Sequence, residues 1–202
     1  MTTGATERDR AKADRHAAIL REAARLFAER GFSGVSLEDL GSAVGVSGPA
    51  LYRHFANKQA LLSSLLIEVS RRLRDGGREV ASSSPDALSR LRALVDFHVD
   101  FALHQADVIR VQDRDLASLA SDSAHEVRRL QREYVEVWIG VLADLHPDRT
   151  AGDLRVRAHA CFGLINSTPH VLHAHRGATR PAVSDVEARR ILADMALAAL
   201  RA

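Results

Sequence analysis

Residues 44–58, VGVSGPALYRHFANK, set a tight glycine turn between two short helical runs. Leu51 and Phe55 fall ~40° apart on a helical wheel, while Tyr52, Arg53 and His54 cover the far side. That helix keeps one face on a scaffold and shows the other to solvent. Gly45 supplies backbone angles that side chains disfavour, and Val46 anchors the turn. Ser47 caps the following helix, and Pro49 sits in its first turn, where a missing N–H costs nothing. Small residues at Gly48 and Ala50 let the backbone approach the floor of a groove ~12 Å wide.

Working outward, Ile19, Ala23, Leu26 and Phe27 form one apolar stripe on a helix predicted from Asp14 to about Arg30, with Gly31 as its left-handed stop. Ser36-Leu37-Glu38-Asp39 is a capping-box variant opening a helix of about two turns, with Leu37, Leu40 and Val44 on one side. Three short helices with Gly45 between the second and third spell a helix-turn-helix. A long helix begins near Lys58 and carries Leu61, Leu62, Leu65 and Val69. Gly76-Gly77 and Ser82–Pro85 are expected to weaken and then end it, the strongest break in the chain.

The pattern beyond stays helical. Ser84 is expected to cap a helix reaching about His104, followed by a less regular segment over 106–120. Further helices are expected over about 123–145, from Thr150-Ala151-Gly152-Asp153 to about His173, and from the capping box Ser184-Asp185-Val186-Glu187 to Leu200. No segment alternates with period two, so the fold class is all-α. The organisation expected is a flexible arm over 1–13, a helix-turn-helix domain over 14–60 and a larger helical domain over 61–202.

The 202 residues suffice for a real core, and 46% hydrophobic against 27% charged residues indicates a globular chain. The net charge of +2 says little, but its placement says more. From Leu40 to Ile67 there is no Asp or Glu, while Arg53, His54 and Lys58 lie inside, which suits a phosphate backbone. The single Cys161 excludes an intrachain disulfide and suggests a reducing, cytoplasmic setting. The N-terminal residues lack the apolar core of a signal peptide, and no apolar run reaches the ~18 residues of a membrane span.

The run GFSGVSLEDLGSAVGVSGPALYRHFANKQALL closely resembles the DNA-binding domain of TetR-family transcriptional regulators, over roughly residues 15–66. Val46-Ser47, Leu51-Tyr52-Arg53-His54-Phe55, Asn57-Lys58 and Leu61-Leu62 carry the resemblance. It implies a double-stranded, palindromic operator as partner. Ser36 is then expected to bond a phosphate, and Ser47, Gly48, Pro49 and Ala50 to face the groove. Tyr52 would donate to a phosphate, His54 would reach a phosphate or base edge, and Arg53 and Lys58 would add contacts. With Gly48, Pro49 and Ala50 at the groove, direct readout is sparse, and DNA shape or the arm with Arg8, Arg10 and Lys12 contributes.

The same resemblance implies a C-terminal domain that binds a small effector and dimerises through its last two helices. Ala160, Gly163, Leu164 and Ser167 form a small-residue stripe on one, and Ile191, Leu192, Met195 and Ala199 an apolar stripe on the other. Such stripes make a four-helix homodimer seam. Pro169 interrupts the penultimate helix among Asn166, Thr168 and His170, polar groups an effector pocket can use. Phe97, Phe101, Trp138, Leu142 and Phe162 are expected to line its apolar part. The stretch Gly163–His170 is similar to a subgroup tied to lipid or acyl-CoA breakdown, and Arg110 and Arg114 would then meet the effector's phosphates. His98 and His104 are expected as core or interface groups and Cys161 as a small buried hydrophobe. The leading expectation is a repressor released by its effector, with no cofactor and no catalytic role. The rivals are a metal sensor using His170, His173 and His175, and an enzyme using the C-terminal cavity. Neither a nucleophile elbow, a metal-ligand motif nor a phosphate loop supports the latter.

Overall fold

A computed structural model describes residues 7–46, 51–174 and 183–202, and the side chains of these except 169–174. Its elements are α1 (Glu7–Arg30), α2 (Leu37–Ala43), α3 (Lys58–Ala81), α4 (Ala87–His104), α5 (Ala106–Asp115), a 3₁₀ turn over Leu116–Ser118, α6 (Ser121–Leu145), α7 (Ala151–Ala174) and α8 (Asp185–Arg201). A further helical turn ends at Tyr52, ahead of α3. The described residues are helix and turn, as the sequence predicts.

The chain divides into two compact units. One holds the chain up to Glu68 with Arg110–Glu126, the other Val69–Ile109 with Val127–Ala202. The expected boundary at 60/61 moves into α3, and a segment distant in sequence joins the first unit.

The first unit is built around the stripe read from sequence. Ile19, Ala23 and Phe27 are fully buried, with Leu40, Leu51, Leu61 and Leu62 beside them in the core. α1 begins at Glu7 rather than Asp14, so residues 7–13, expected as arm, are an exposed extension of the helix. Glu7 and Asp9 in its first turn suit the positive end of the helix dipole. Gly31 ends α1 at φ +79° and Gly45 closes the turn at φ +67°, the two left-handed glycines expected. Val46 N–H donates to Gly41 C=O at 2.9 Å, pinning the turn to α2.

The second unit packs α4, α7 and α8 against one another. Leu91, Leu94, Trp138, Leu142, Leu154, Ala158, Leu192 and Ala196 belong to one buried cluster. Here two expectations are corrected. Gly76 and Gly77 do not weaken α3, which runs through both. A Cβ at Gly76 would stand 2.5 Å from Phe97 Cζ, and one at Gly77 2.5 Å from Tyr134 Cε2. The pair lets two aromatic rings lie against the α3 backbone. The cap of α4 is Asp86, whose Oδ2 accepts from Ser89 N–H at 2.8 Å, rather than Ser84. Ser84 Oγ accepts instead from Asp86 N–H at 3.2 Å, one step earlier in the turn. The caps of α7 and α8 stand as read, with Thr150 Oγ1 and Ser184 Oγ each accepting from the backbone three residues on, at 3.2 Å.

Candidate functional site

The helical turn ending at Tyr52 splits as its sequence requires. Leu51 and Phe55 are buried, Tyr52 is 50% exposed, Arg53 is exposed and His54 is half-buried. The turn closes through Leu51 C=O, which accepts from His54 N–H at 2.9 Å and Phe55 N–H at 3.0 Å. Residues 47–50, the expected groove-facing start, lie outside the described residues.

Phe55 stacks on His16 of α1 with ring centroids 5.2 Å apart, and His16 Nε2 stands 3.3 Å from Glu68. His54 is held below the usual imidazole range, first by partial burial and then by the positive charge of His16, Arg15, Lys12 and Arg53. Lys12, Arg15 and His16 thus join Arg53 and His54 in one cationic neighbourhood. Sequence reading placed Lys12 in an arm and missed Arg15 and His16. They lie on α1, and only the packing of α1 against Phe55 brings them there.

Two expected phosphate ligands have other partners. Ser36 and Asp39 form a reciprocal capping box: Asp39 N–H donates to Ser36 Oγ at 3.0 Å, and Ser36 N–H to Asp39 Oδ2 at 2.8 Å. The Ser36 hydroxyl also donates to Asp39 Oδ2 at 2.7 Å, so a phosphate bond from Ser36 competes with the cap. Lys58 is a correction. Its ammonium donates to Phe32 C=O and Val35 C=O, each at 2.8 Å, and sits 4.5 Å above the Phe32 ring. It braces the α1–α2 connection, whose carbonyls have no ladder to join.

Arg114, expected to meet an effector phosphate, is likewise corrected. Its guanidinium donates to Phe27 C=O, to Ala28 C=O at 3.3 Å and to Asp115 Oδ2 at 2.8 Å. It therefore closes the C-terminal end of α1, where the helix dipole favours a cation. Arg110 is exposed, and both arginines belong to the first unit, apart from the residues expected to line the pocket.

Within the second unit Phe97, Phe101, Trp138 and Phe162 do gather, and they gather around a histidine. The His98 ring centroid lies 4.7 Å from Phe162, 5.9 Å from Trp138, 6.0 Å from Phe101 and 5.8 Å from Tyr134. Tyr134 stacks on Phe162 at 5.8 Å, and Trp138 meets Phe162 edge-on at 5.1 Å. His98 Nδ1 is 3.1 Å from the Tyr134 hydroxyl. Burial pushes the imidazole down to about 4, with Asn166 opposing, and raises the Tyr134 phenol. Both are neutral at physiological pH. His98 Nε2, Trp138 Nε1 and Asn166 Oδ1 are buried without a hydrogen bond of proper geometry. Each such group costs roughly 1–3 kcal/mol.

Sequence reading took His98 for ordinary core and passed over Tyr134. The local string gives no signal, because the rings come from three helices. Thr168, expected in the pocket, donates to Leu164 C=O of its own helix at 3.0 Å, as does Ser167 at 3.3 Å. The side chains of His170 and His173, and His175 as a whole, lie outside the described residues. Among the described residues no three His, Cys, Asp or Glu side chains gather for a metal. Cys161 is buried, which pushes its thiol up to about 12, as suits an inert small hydrophobe.

The expected seam is open surface. Ala160, Gly163 and Ser167 are exposed on α7, with Leu164 half-buried. On α8, Ile191 is 37% and Met195 51% exposed, and Ala199 is exposed. Val156 and Val186 complete the large exposed hydrophobics of these helices, which with Tyr52 are all that the described residues show. Leu192 is the exception and a correction: it is buried within the core of its own unit. It sits beside Ile191 in sequence but a full 100° round the helix.

Residues 19–65 match the profile described as bacterial regulatory proteins, tetR family, and residues 84–170 match that of a tetracyclin repressor-like C-terminal domain. The HTH-type transcriptional repressor KstR2 of Rhodococcus jostii is 31% identical over 144 residues, covering 70% of either chain. The structure of a TetR-family transcriptional regulator from Bordetella parapertussis aligns over 90% of this chain and 93% of its own, at 26% identity and a TM-score of 0.77. FadR from Bacillus subtilis, solved in complex with stearoyl-CoA, shares the fold at a TM-score of 0.68 and 18% identity, over 92% of this chain and 97% of its own. No helix among the described residues is long and apolar enough to cross a membrane.

Proposed function

The chain belongs to the TetR family of bacterial regulatory proteins, a family of DNA-binding regulators and not of enzymes, and from that premise we propose that it is a cytoplasmic repressor released from its operator by a small effector. The observation that carries the reading is the split of the Leu51–Phe55 turn. Two buried anchors hold it, while Tyr52 and Arg53 stand in solvent beside the cations Lys12, Arg15 and His16. Tyr52, Arg53 and His54 contact phosphates or base edges, with Ser47, Gly48, Pro49 and Ala50 against the groove. Ser36 joins them where a phosphate displaces its bond to Asp39.

Two copies pair through the exposed faces of α7 and α8. Ala160, Gly163 and Ser167 admit close approach, and Ile191, Met195 and Ala199 supply apolar area. A twofold dimer reads a palindrome with half-sites ~34 Å apart or a multiple of it. Effector binding in the second unit favours a dimer geometry that no longer matches that spacing, a population shift. An acyl-CoA is the effector class tested first. The stretch Gly163–His170 supports it, and the stearoyl-CoA complex of FadR gives a precedent at the level of fold.

The test is an electrophoretic mobility shift with the DNA flanking the protein's own gene. Saturable binding that weakens steeply with salt is expected, and acyl-CoA is expected to release it. Tyr52→Phe weakens binding to every site by roughly 1 kcal/mol, the loss of one hydrogen bond. Absence of any specific shift at low salt overturns the reading. Ile191→Glu with Met195→Glu is expected to give a monomer by light scattering and to abolish the shift.

A further inference from the structure

We infer that the aromatic cluster around His98 is the specificity centre of the effector site, and that it selects an apolar molecule bearing a neutral alcohol or carbonyl oxygen. The inference rests on the effector-controlled reading above and names the chemistry recognised.

Three polar atoms make the argument. His98 Nε2, Trp138 Nε1 and Asn166 Oδ1 are all buried, and none has a hydrogen-bond partner. His98 and Trp138 are almost wholly enclosed, at 3% and 0% exposure. Their ring centroids are 5.9 Å apart, and each stands against the Phe162 ring, at 4.7 and 5.1 Å. Asn166 lies one helical turn beyond Phe162 on α7 and acts directly on His98.

The three differ in what they ask of a partner. An indole N–H only donates, and a carboxamide oxygen only accepts. The imidazole is neutral because burial disfavours its charged form. Its Nδ1 faces the Tyr134 hydroxyl at 3.1 Å. When that hydroxyl donates to Nδ1, Nε2 carries the proton and becomes a second donor. Two N–H donors and one acceptor suit a hydroxyl, which accepts from the rings and donates to Asn166. A ketone or thioester carbonyl satisfies the two donors alone. A carboxylate fits worse. Phe97, His98, Phe101, Tyr134, Trp138 and Phe162 include no lysine or arginine, and a full charge there would face the Asn166 oxygen without a counter-ion. The aromatic rings supply the wall for an apolar body.

Such a site rejects an analogue that lacks the oxygen, because its own polar atoms then stay unpaired. Trp138 is the only tryptophan in the chain, so its emission reports the site directly. The full-length protein is titrated with cyclooctanol, cyclooctanone, cyclooctane and cyclooctanecarboxylate at pH 7. The alcohol and ketone are expected to change Trp138 emission with affinities about tenfold or more above the hydrocarbon, and the carboxylate to bind no better than the hydrocarbon. His98→Leu is expected to erase the preference for the alcohol and leave the hydrocarbon's affinity within about threefold. His98→Gln, which keeps a donor and an acceptor, recovers part of it. Should His98→Leu fail to fold by circular dichroism, Asn166→Leu takes its place and is expected to narrow the gap between alcohol and ketone. Equal affinities for the alcohol and hydrocarbon, tightest binding by the carboxylate, or unchanged Trp138 emission with all four probes overturns the inference. The mobility shift stands apart from all of these: operator binding by a protein blind to the probes keeps the regulatory reading and removes this one.

Discussion

The two units treat their polar side chains in opposite ways. In the first, polar groups close the ends and connections of helices. Ser36 and Asp39 cap α2, Lys58 braces Phe32 and Val35, and Arg114 closes α1 on Phe27 and Ala28. In the second, Ser70, Arg90, His98, Trp138 and Asn166 each hold a buried polar atom without a partner. Among the described residues every such atom lies in that unit. The first unit is built to hold one shape, and the second leaves hydrogen-bonding capacity inside its core. A unit that reads a fixed lattice of phosphates needs the former, and a unit that answers to a ligand needs the latter.

The comparison breaks most visibly in acid. The folded second unit holds His98 at about 4, against an ordinary 6.5, because burial disfavours the imidazolium more than Asn166 favours it. As pH falls the unfolded chain therefore takes up the proton first. The stability from the neutral ring is complete above pH 6.5 and is lost progressively as pH falls toward 4. The loss is roughly 3 kcal/mol across that window. Urea denaturation followed by Trp138 emission at stepped pH measures it within the second unit. His98→Leu is expected to flatten the profile between pH 6.5 and 4, and an unchanged slope would place the acid sensitivity elsewhere.

Next in size is Lys58→Met, which keeps the length of the side chain and removes its charge. Two carbonyls of the α1–α2 connection lose their donor, and hydrogen bonds from a charged group are worth about 1.5–3 kcal/mol. A loss of about 2 kcal/mol is expected in thermal or urea unfolding. A loss confined to operator affinity, with stability intact, would restore Lys58 to the DNA face and blur the contrast between the units. Ser36→Ala comes third, at about 1 kcal/mol for a lost N-cap, read by amide hydrogen exchange in α2.

What the string of residues disclosed divides along the same line. Short-range devices were legible: the Ser36–Asp39 box, the left-handed Gly31 and Gly45, the Thr150 and Ser184 caps, the buried pair Leu51 and Phe55. Each is decided within four or five residues, by backbone sterics or by one hydrogen bond. What depends on distant packing was not. Gly76 and Gly77 read as a break because nothing nearby announces that Phe97 and Tyr134 will lie against them. Lys58 and Arg114 read as phosphate ligands because the carbonyls they reach, at Phe32, Val35, Phe27 and Ala28, are far along the chain. Leu192 read as seam because periodicity marks an apolar face without saying which neighbour covers it. The aromatic members of the effector core were visible as a list, but the histidine at their centre was not.

The smallest expected effect is the sharpest probe of the contrast, because its sign is at stake. In the first unit, replacing a polar side chain by an apolar one strands a partner and destabilises. In the second, Asn166 Oδ1 has no bonded partner to strand. Asn166→Leu therefore removes a buried unpaired oxygen and adds apolar contact beside Phe162 and His98. The expected change runs from neutral to roughly 1 kcal/mol of added stability, since exchanging an unsatisfied buried group for an apolar one of similar size is nearly free or favourable. The same variant is expected to lose its answer to an alcohol-bearing effector while its affinity for operator DNA is unchanged. A stability gained together with a response lost is the signature of a group kept for a ligand. A clear destabilisation would mean that Asn166 does pair within the folded chain, and the second unit would then satisfy its polar groups as fully as the first.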